Sequence, residues 1–129
     1  MFTSKNNQSQ NEYFMNLALM QAYKSLGNTG NNPAVGCVIV KDSCVVSSGN
    51  TGFKGRPHAE HKALNFKDKL IKNSSLYVTL EPCSHYGKTF PCVNKIIKKH
   101  IKKVFFSVKD PDLRSFNKCV KILKKNKVK

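Results

Sequence analysis

The sequence predicts an α/β protein, a three-layer α/β/α sandwich around a mixed sheet, and three observations carry that reading. Apolar, β-branched runs of strand length recur at residues 34–41, 44–48, 75–80 and 103–108. Around and between them, residues 11–26, 58–66, 91–99 and 116–125 space their apolar side chains at helical intervals. Only Asp42-Ser43 separates the first two runs, which makes them a hairpin, whereas helices separate the later ones. A hairpin followed by alternating strands and helices gives a mixed sheet with helices on both faces.

Each element has a local reason. Residues 1–10 are a polar lead rich in Asn, Ser and Gln, expected to be disordered. The helix at 11–26 sets Phe14, Leu17, Ala18 and Met20 near one face and stops at Gly27. Residues 27–33 (G-N-T-G-N-N-P) are loop-forming, and 34–41 (A-V-G-C-V-I-V-K) read as a buried strand. Cys37 and Cys44, in apolar strands, are expected in the core. The loop at 49–57 holds three glycines and the basic pair Lys54 and Arg56. The next helix begins at His58 and turns Ala59, Ala63 and Leu64 inward. Glu81-Pro82 ends the strand at 75–80, and Pro91 suits the first turn of the helix after the following loop. Asp110-Pro111-Asp112 breaks the strand at 103–108, and Phe116, Cys119, Val120, Ile122 and Leu123 mark a last amphipathic helix.

The chain of 129 residues shows no linker or repeat and reads as one domain. No apolar run approaches the ~20 residues of a membrane helix. The start lacks the apolar middle of a secretory signal and the arginines of a transit peptide, so a cytoplasmic protein is expected. Five cysteines, an odd number without an export signal, fit reduced thiols. The net charge of +16 sets 23 Lys and Arg against 7 Asp and Glu, and only Arg56 and Arg114 of the cations are arginine. Arginine is the side chain that grips phosphate and guanine bidentately, so nucleic-acid recognition is not expected. Attraction for small phosphorylated substrates is.

Chemistry concentrates between Pro57 and Cys92. His58, Cys83 and Cys92 are ligands suited to zinc, and three protein ligands leave the fourth position of a tetrahedron open. Glu60, two residues past His58, points elsewhere on a helix and is placed as a proton carrier, not a ligand. The ligands sit at two helix starts and past a strand end, where free N–H groups favour thiolates and α/β sheets place their sites. A closed structural site would need His85 as fourth ligand; His61 is expected beside the site and His100 as a helix-capping or surface residue.

The motif P-H-A-E with a later E-P-C-S-H-Y-G-K-T-F-P-C resembles the cytidine-deaminase-like superfamily and its H-x-E…P-C-x-x-C signature. Eight residues stand between Cys83 and Cys92 where that signature has two. The expanded form, with N-P-A-V-G at 32–36 and V-K-D-P-D at 108–112, resembles the pyrimidine deaminase domain of riboflavin-biosynthesis deaminase–reductases across about residues 13–125. The resemblance implies one zinc ion per chain and hydrolytic removal of the 2-amino group of 2,5-diamino-6-(5-phosphoribosylamino)pyrimidin-4(3H)-one. Water attacks C2, and Glu60 carries its proton to the ring and the leaving amine. It also implies that Asn32, Lys88 and Asp110 face the substrate, Lys88 toward its phosphate or ring oxygen.

The chain departs from the family's pattern at three places. Thr51 stands where a histidine is common, Asp112 ends D-P-D in place of D-P-N, and 113–118 has no glycine. The resemblance places Thr51 and Asp112 among the substrate contacts as well. No G-x-G-x-x-G is present, so no nicotinamide cofactor is expected, and a separate reductase and a homo-oligomer are the expected partners. Two rival readings are a deaminase of tRNA or other nucleic acid and a zinc-stabilised binding module without catalysis.

Overall fold

Strand alternation sorts the apolar residues into two cores in a computed structural model that describes residues 2–85, 91–111 and 118–129, with side chains from Asn7 onward. β1 (Gly36–Lys41) and β2 (Cys44–Asn50) form the expected hairpin. Asp42 and Ser43 both take positive φ, 51° and 63°, as a two-residue type I′ turn requires. β3 (Ser75–Leu80) pairs antiparallel with β1, and β4 (Lys103–Val108) pairs parallel with β3, giving the order β2-β1-β3-β4. The sheet is mixed, as predicted.

The helices among the described residues are α1 (Phe2–Ser25), α2 (Ala59–Leu64), α3 (Asp68–Ile71), α4 (Cys92–Lys98) and α5 (Lys118–Lys125). Successive strand residues face opposite sides. Cys37, Ile39, Leu76 and Val78 therefore enter one core, beneath Ala63 and Leu64 of α2, Val93 and Ile96 of α4, and Leu123 of α5. Val38, Val40 and Tyr77 enter the other, beneath Phe14 and Ala18 of α1. There the Tyr77 ring stacks on Phe105 with centroids 4.6 Å apart, and its hydroxyl donates to Asn11 Oδ1 at 2.6 Å. Fully buried side chains such as Leu76 and Ile96 each stabilise the fold by about 1.5–3 kcal/mol. Helices on both faces of one sheet give the three layers.

Several boundaries differ from the sequence reading. α1 begins at Phe2 rather than at residue 11, and residues 7–10 are exposed helix. Apolar periodicity reports burial, and a solvent-facing extension of a helix carries none. Met20 is 59% exposed, because it lies two residues from buried Ala18 and so on the opposite side of α1. Cys44 is exposed at the mouth of the hairpin turn on the edge strand, whereas Cys37 is buried in the central strand. α3 and a 3-10 turn at Phe53–Gly55 were not foreseen; each is too short to show a period. His100 follows α4 with a positive φ of 59°, the conformation that ends many helices. At the tail, Lys129 donates to the Lys102 carbonyl and accepts from the Val104 N–H, lying along the outer edge of β4. Among the described residues no helix is long and apolar enough to cross a membrane.

The carboxyl ends of β2, β3 and β4 and the amino end of β1 meet at one end of the sheet. The candidate site lies there.

Candidate active site

His58 precedes α2 with extended backbone (φ −64°, ψ 155°), so the helix opens at Ala59 and Glu60 falls in its first turn. β2 admits α2 this closely because position 49 is glycine: a Cβ there would stand 2.5 Å from the Ala59 carbonyl oxygen. That approach buries Glu60 to 4% exposure. Cys83 follows the end of β3, and Cys92 is the first residue of α4. First-turn N–H groups have no partner within their helix. The Cys92 N–H donates to Cys83 Sγ at 3.2 Å, and the Val93 N–H donates to the Cys83 carbonyl at 3.2 Å. The start of α4 thus holds both the backbone and the sulfur of Cys83.

His58 Nδ1 stands 3.4 Å from Cys92 Sγ and 3.8 Å from Cys83 Sγ. The three ligand atoms all lie within 4.8 Å of one another. Tetrahedral zinc with its usual bond lengths spaces an imidazole nitrogen and a thiolate sulfur about 3.6 Å apart. The donor set and its spacing fit zinc.

The environment shifts every ionisable group of the cluster. Burial pushes the Glu60 carboxyl up to about 7, against an opposing backbone hydrogen bond, and the charge of Cys83 adds to the rise. Cys83 is held down to about 4, first by its hydrogen bond with the Cys92 thiol and also by His58. Cys92 moves up, as the partner that keeps the shared proton and as a buried thiol. His58 is raised chiefly by its hydrogen bond to Cys83. Burial alone accounts for most of the rise at Cys119, to about 12, and Cys37 is raised for the same reason. Cys37 and Cys119 are therefore inert core residues, whereas Cys44 is exposed.

A cavity of about 200 Å³ opens against His58, Glu60 and Cys83. Asn32, Thr51 and Asp110 lie on its wall; Lys88 and Asp112 fall outside the described residues. Asn32 Nδ2 donates to the Gly55 carbonyl at 3.0 Å. Thr51 Oγ1 accepts the Val35 N–H at 2.8 Å and donates to the Pro33 carbonyl at 3.2 Å. Thr51 thus grips the loop that carries Asn32. His85 borders the cavity without joining the ligand group, and the His61 ring lies 6.3 Å from that of His58.

Two wall residues were not singled out for the site from sequence. Glu81 is 2% exposed; its Oε2 accepts the Asp110 N–H at 3.1 Å, and its Oε1 has no partner among the described residues. Its burial depends on β4 ending beside it, which no local pattern reveals. Arg56 lines the same cavity. Its signal was its rarity, an arginine in a chain whose cations are nearly all lysine.

Residues 8–108 match the family described as the cytidine and deoxycytidylate deaminase zinc-binding region. The chain belongs to this family. Zinc is accordingly the metal suited to the His-Cys-Cys group. Riboflavin biosynthesis protein RibD of Bacillus amyloliquefaciens is 50% identical over 101 residues, 78% of this chain and 27% of that protein. Diaminohydroxyphosphoribosylamino-pyrimidine deaminase of Buchnera aphidicola is 40% identical over 116 residues, 90% of this chain and 79% of that one. The crystal structure of a diaminohydroxyphosphoribosylaminopyrimidine deaminase/5-amino-6-(5-phosphoribosylamino)uracil reductase from Thermotoga maritima superposes with a TM-score of 0.88 at 37% identity, over 95% of this chain and 36% of that one. The chain spans about a quarter of the length of the RibD relatives it matches and most of the length of the Buchnera protein. The zinc-binding deaminase fold expected from the motifs is the fold observed.

Proposed function

We propose that this deaminase domain hydrolyses the 2-amino group of 2,5-diamino-6-(5-phosphoribosylamino)pyrimidin-4(3H)-one, yielding 5-amino-6-(5-phosphoribosylamino)uracil and ammonia. The observation that carries the reading is a buried carboxyl, Glu60, beside a His-Cys-Cys group at the base of a cavity of ring size. The 40% identity to the Buchnera deaminase over nearly its whole length supports the substrate.

Zinc held by His58, Cys83 and Cys92 supplies the Lewis acidity that activates water at neutral pH. Glu60 would carry the two protons of the attacking water in turn, the first to the ring nitrogen and the second to the leaving amine. A group that alternates between base and acid works best with a pKa near the operating pH, and burial brings Glu60 to about 7. Asn32, its Nδ2 anchored on Gly55, offers its remaining amide valences to the pyrimidine edge. Glu81 Oε1 is a buried acceptor on the same wall, suited to a ring or amino N–H. Asp110 suits a ribose hydroxyl, and Thr51 acts through the 33–35 backbone. Lys88 and Asp112 keep the substrate-facing roles that the resemblance gives them. A reductase acting on the product is the expected partner, and the Thermotoga relative joins both activities by name.

The test is ammonia release by zinc-loaded protein from the diaminopyrimidine phosphate and from an RNA stem-loop, with products identified by mass. Release from the pyrimidine supports the reading. Release from RNA alone, or bound zinc with no turnover on either, overturns it.

A further inference from the structure

Two clefts share Asn32 with the catalytic cavity, and they differ in charge. One, lined by Asn31, Asn32, Pro33, Leu80, Asp110 and Pro111, carries a carboxylate and no cation among the described residues. The other, lined by Asn31, Asn32, Phe53, Lys54 and Arg56, carries an ammonium, a guanidinium and two carboxamides, and no carboxylate. Asn32 and Arg56 belong to both this second cleft and the cavity, so a ligand can pass from one to the other along a continuous wall.

We propose that the cleft of Lys54 and Arg56 is the phosphate subsite of this deaminase, an assignment that rests on the phosphoribosylated substrate proposed above. Size requires some such extension. Pockets that enclose a whole small ligand run to ~300–1,000 Å³. The cavity of about 200 Å³ takes the pyrimidine ring and leaves the phosphoribosyl arm outside it. Between the two clefts that meet at Asn32, charge then chooses the exit. A phosphate beside Asp110 meets a like charge, whereas beside Arg56 it meets a planar fork of donors that matches it bidentately.

Arg56 is half-buried, where its charge is screened less than that of an exposed lysine. Arg56 lines both the cavity and the outer cleft, where a ribose-length arm delivers its phosphate.

The wall beneath these cations is built rather than incidental. Lys54 holds a left-handed backbone, φ 63°, a conformation disfavoured for a side chain with a Cβ. Its N–H donates to the Asn28 carbonyl at 2.7 Å, tying the 53–56 turn to the preceding loop. Gly55 also has a positive φ, 98°, and a Cβ there would stand 2.5 Å from Asn32 Nδ2. Asn32 in turn donates to the Gly55 carbonyl at 3.0 Å. Non-glycine residues held in such conformations cluster at ligand clamps. Both loops are fixed against each other, so the carboxamides and the cations face the cleft as one surface. Ring, ribose and phosphate then lie in order from Glu60 past Asn32 to Arg56 and Lys54.

The test compares kcat/KM of zinc-loaded wild type, Arg56→Gln, Lys54→Gln and the double variant on the phosphoribosyl substrate and on the riboside lacking phosphate. The double variant is expected to lose at least about tenfold more on the phosphorylated substrate than on the riboside, chiefly through KM. Zinc content and melting temperature establish that each variant is folded. Equal losses on the two substrates, or a phosphate-specific loss seen only in Lys88→Gln, overturn the assignment. If the wild type turns over neither pyrimidine, the proposed activity fails by itself, and binding of ribose 5-phosphate decides the subsite. Affinity at least tenfold weaker in the double variant upholds it, and equal affinity overturns it.

Discussion

The Thr51 hydroxyl accepts the Val35 N–H at 2.8 Å, while the Thr51 N–H donates to the Val35 carbonyl at 3.0 Å. Side chain and backbone of one residue thus clasp the segment that leads from Asn32 into β1. Both groups are buried, so removing the hydroxyl leaves a backbone donor without a partner. Thr51→Val is expected to cost about 1–3 kcal/mol in denaturant unfolding and to raise KM by loosening Asn32. Thr51→Ser should restore most of both. A valine variant as stable and as active as wild type would remove Thr51 from this role.

Glu81 makes a similar link between strand ends, from β3 to the residues after β4. Its Oε2 accepts from the Asp110 N–H, and its own N–H donates to the Val108 carbonyl at 2.8 Å. Glu81→Ala is expected to destabilise by about 1–3 kcal/mol, because it removes the acceptor of the part-buried Asp110 N–H. Glu81→Gln keeps an acceptor for Asp110 and should recover stability, yet lower turnover through its altered contact in the cavity. Thermal unfolding and steady-state kinetics on both variants separate the two effects; full activity in Glu81→Gln would show that the contact with Asp110 is its whole contribution.

Metal removal should be felt as loss of stability. The ligands come from the start of α2, the segment after β3 and the start of α4, so bound zinc ties three parts of the chain together. A ligand that binds only the folded state stabilises it by about 4 kcal/mol at a thousandfold excess over Kd. Chelation should therefore lower Tm, and added zinc should restore it. Cys83→Ala and Cys92→Ala should each abolish the zinc-dependent part. A Tm indifferent to chelator in a protein shown to contain zinc would contradict this.

The elements and the site residues differ in how far the sequence reveals them. The strands at Ser75–Leu80 and Lys103–Val108 have the ends that Glu81-Pro82 and Asp110 mark, because proline and aspartate stop a strand through local chemistry. The start of α1 was hidden, since residues 7–10 are exposed and carry no apolar stripe. The place of Cys44 is not legible because burial on an edge strand depends on what packs over it, and Cys44 is exposed there. The meeting of His58, Cys83 and Cys92 follows from helix starts and a strand end at one edge of the sheet. Arg56 and Glu81 were harder to see: their places in the cavity depend on loop packing and on a strand end 29 residues away in sequence.

The central claim is that Glu60 moves the proton in a zinc-dependent deamination. Its most direct test is ammonia release from the diaminopyrimidine phosphate by Glu60→Gln beside wild type, with zinc measured in both. Glutamine keeps the size and the buried position but can neither take nor return a proton. The expected result is equal zinc content with turnover lower by about 10²–10⁴-fold, the usual contribution of a positioned acid–base group. Wild-type turnover in the zinc-loaded variant would contradict the account.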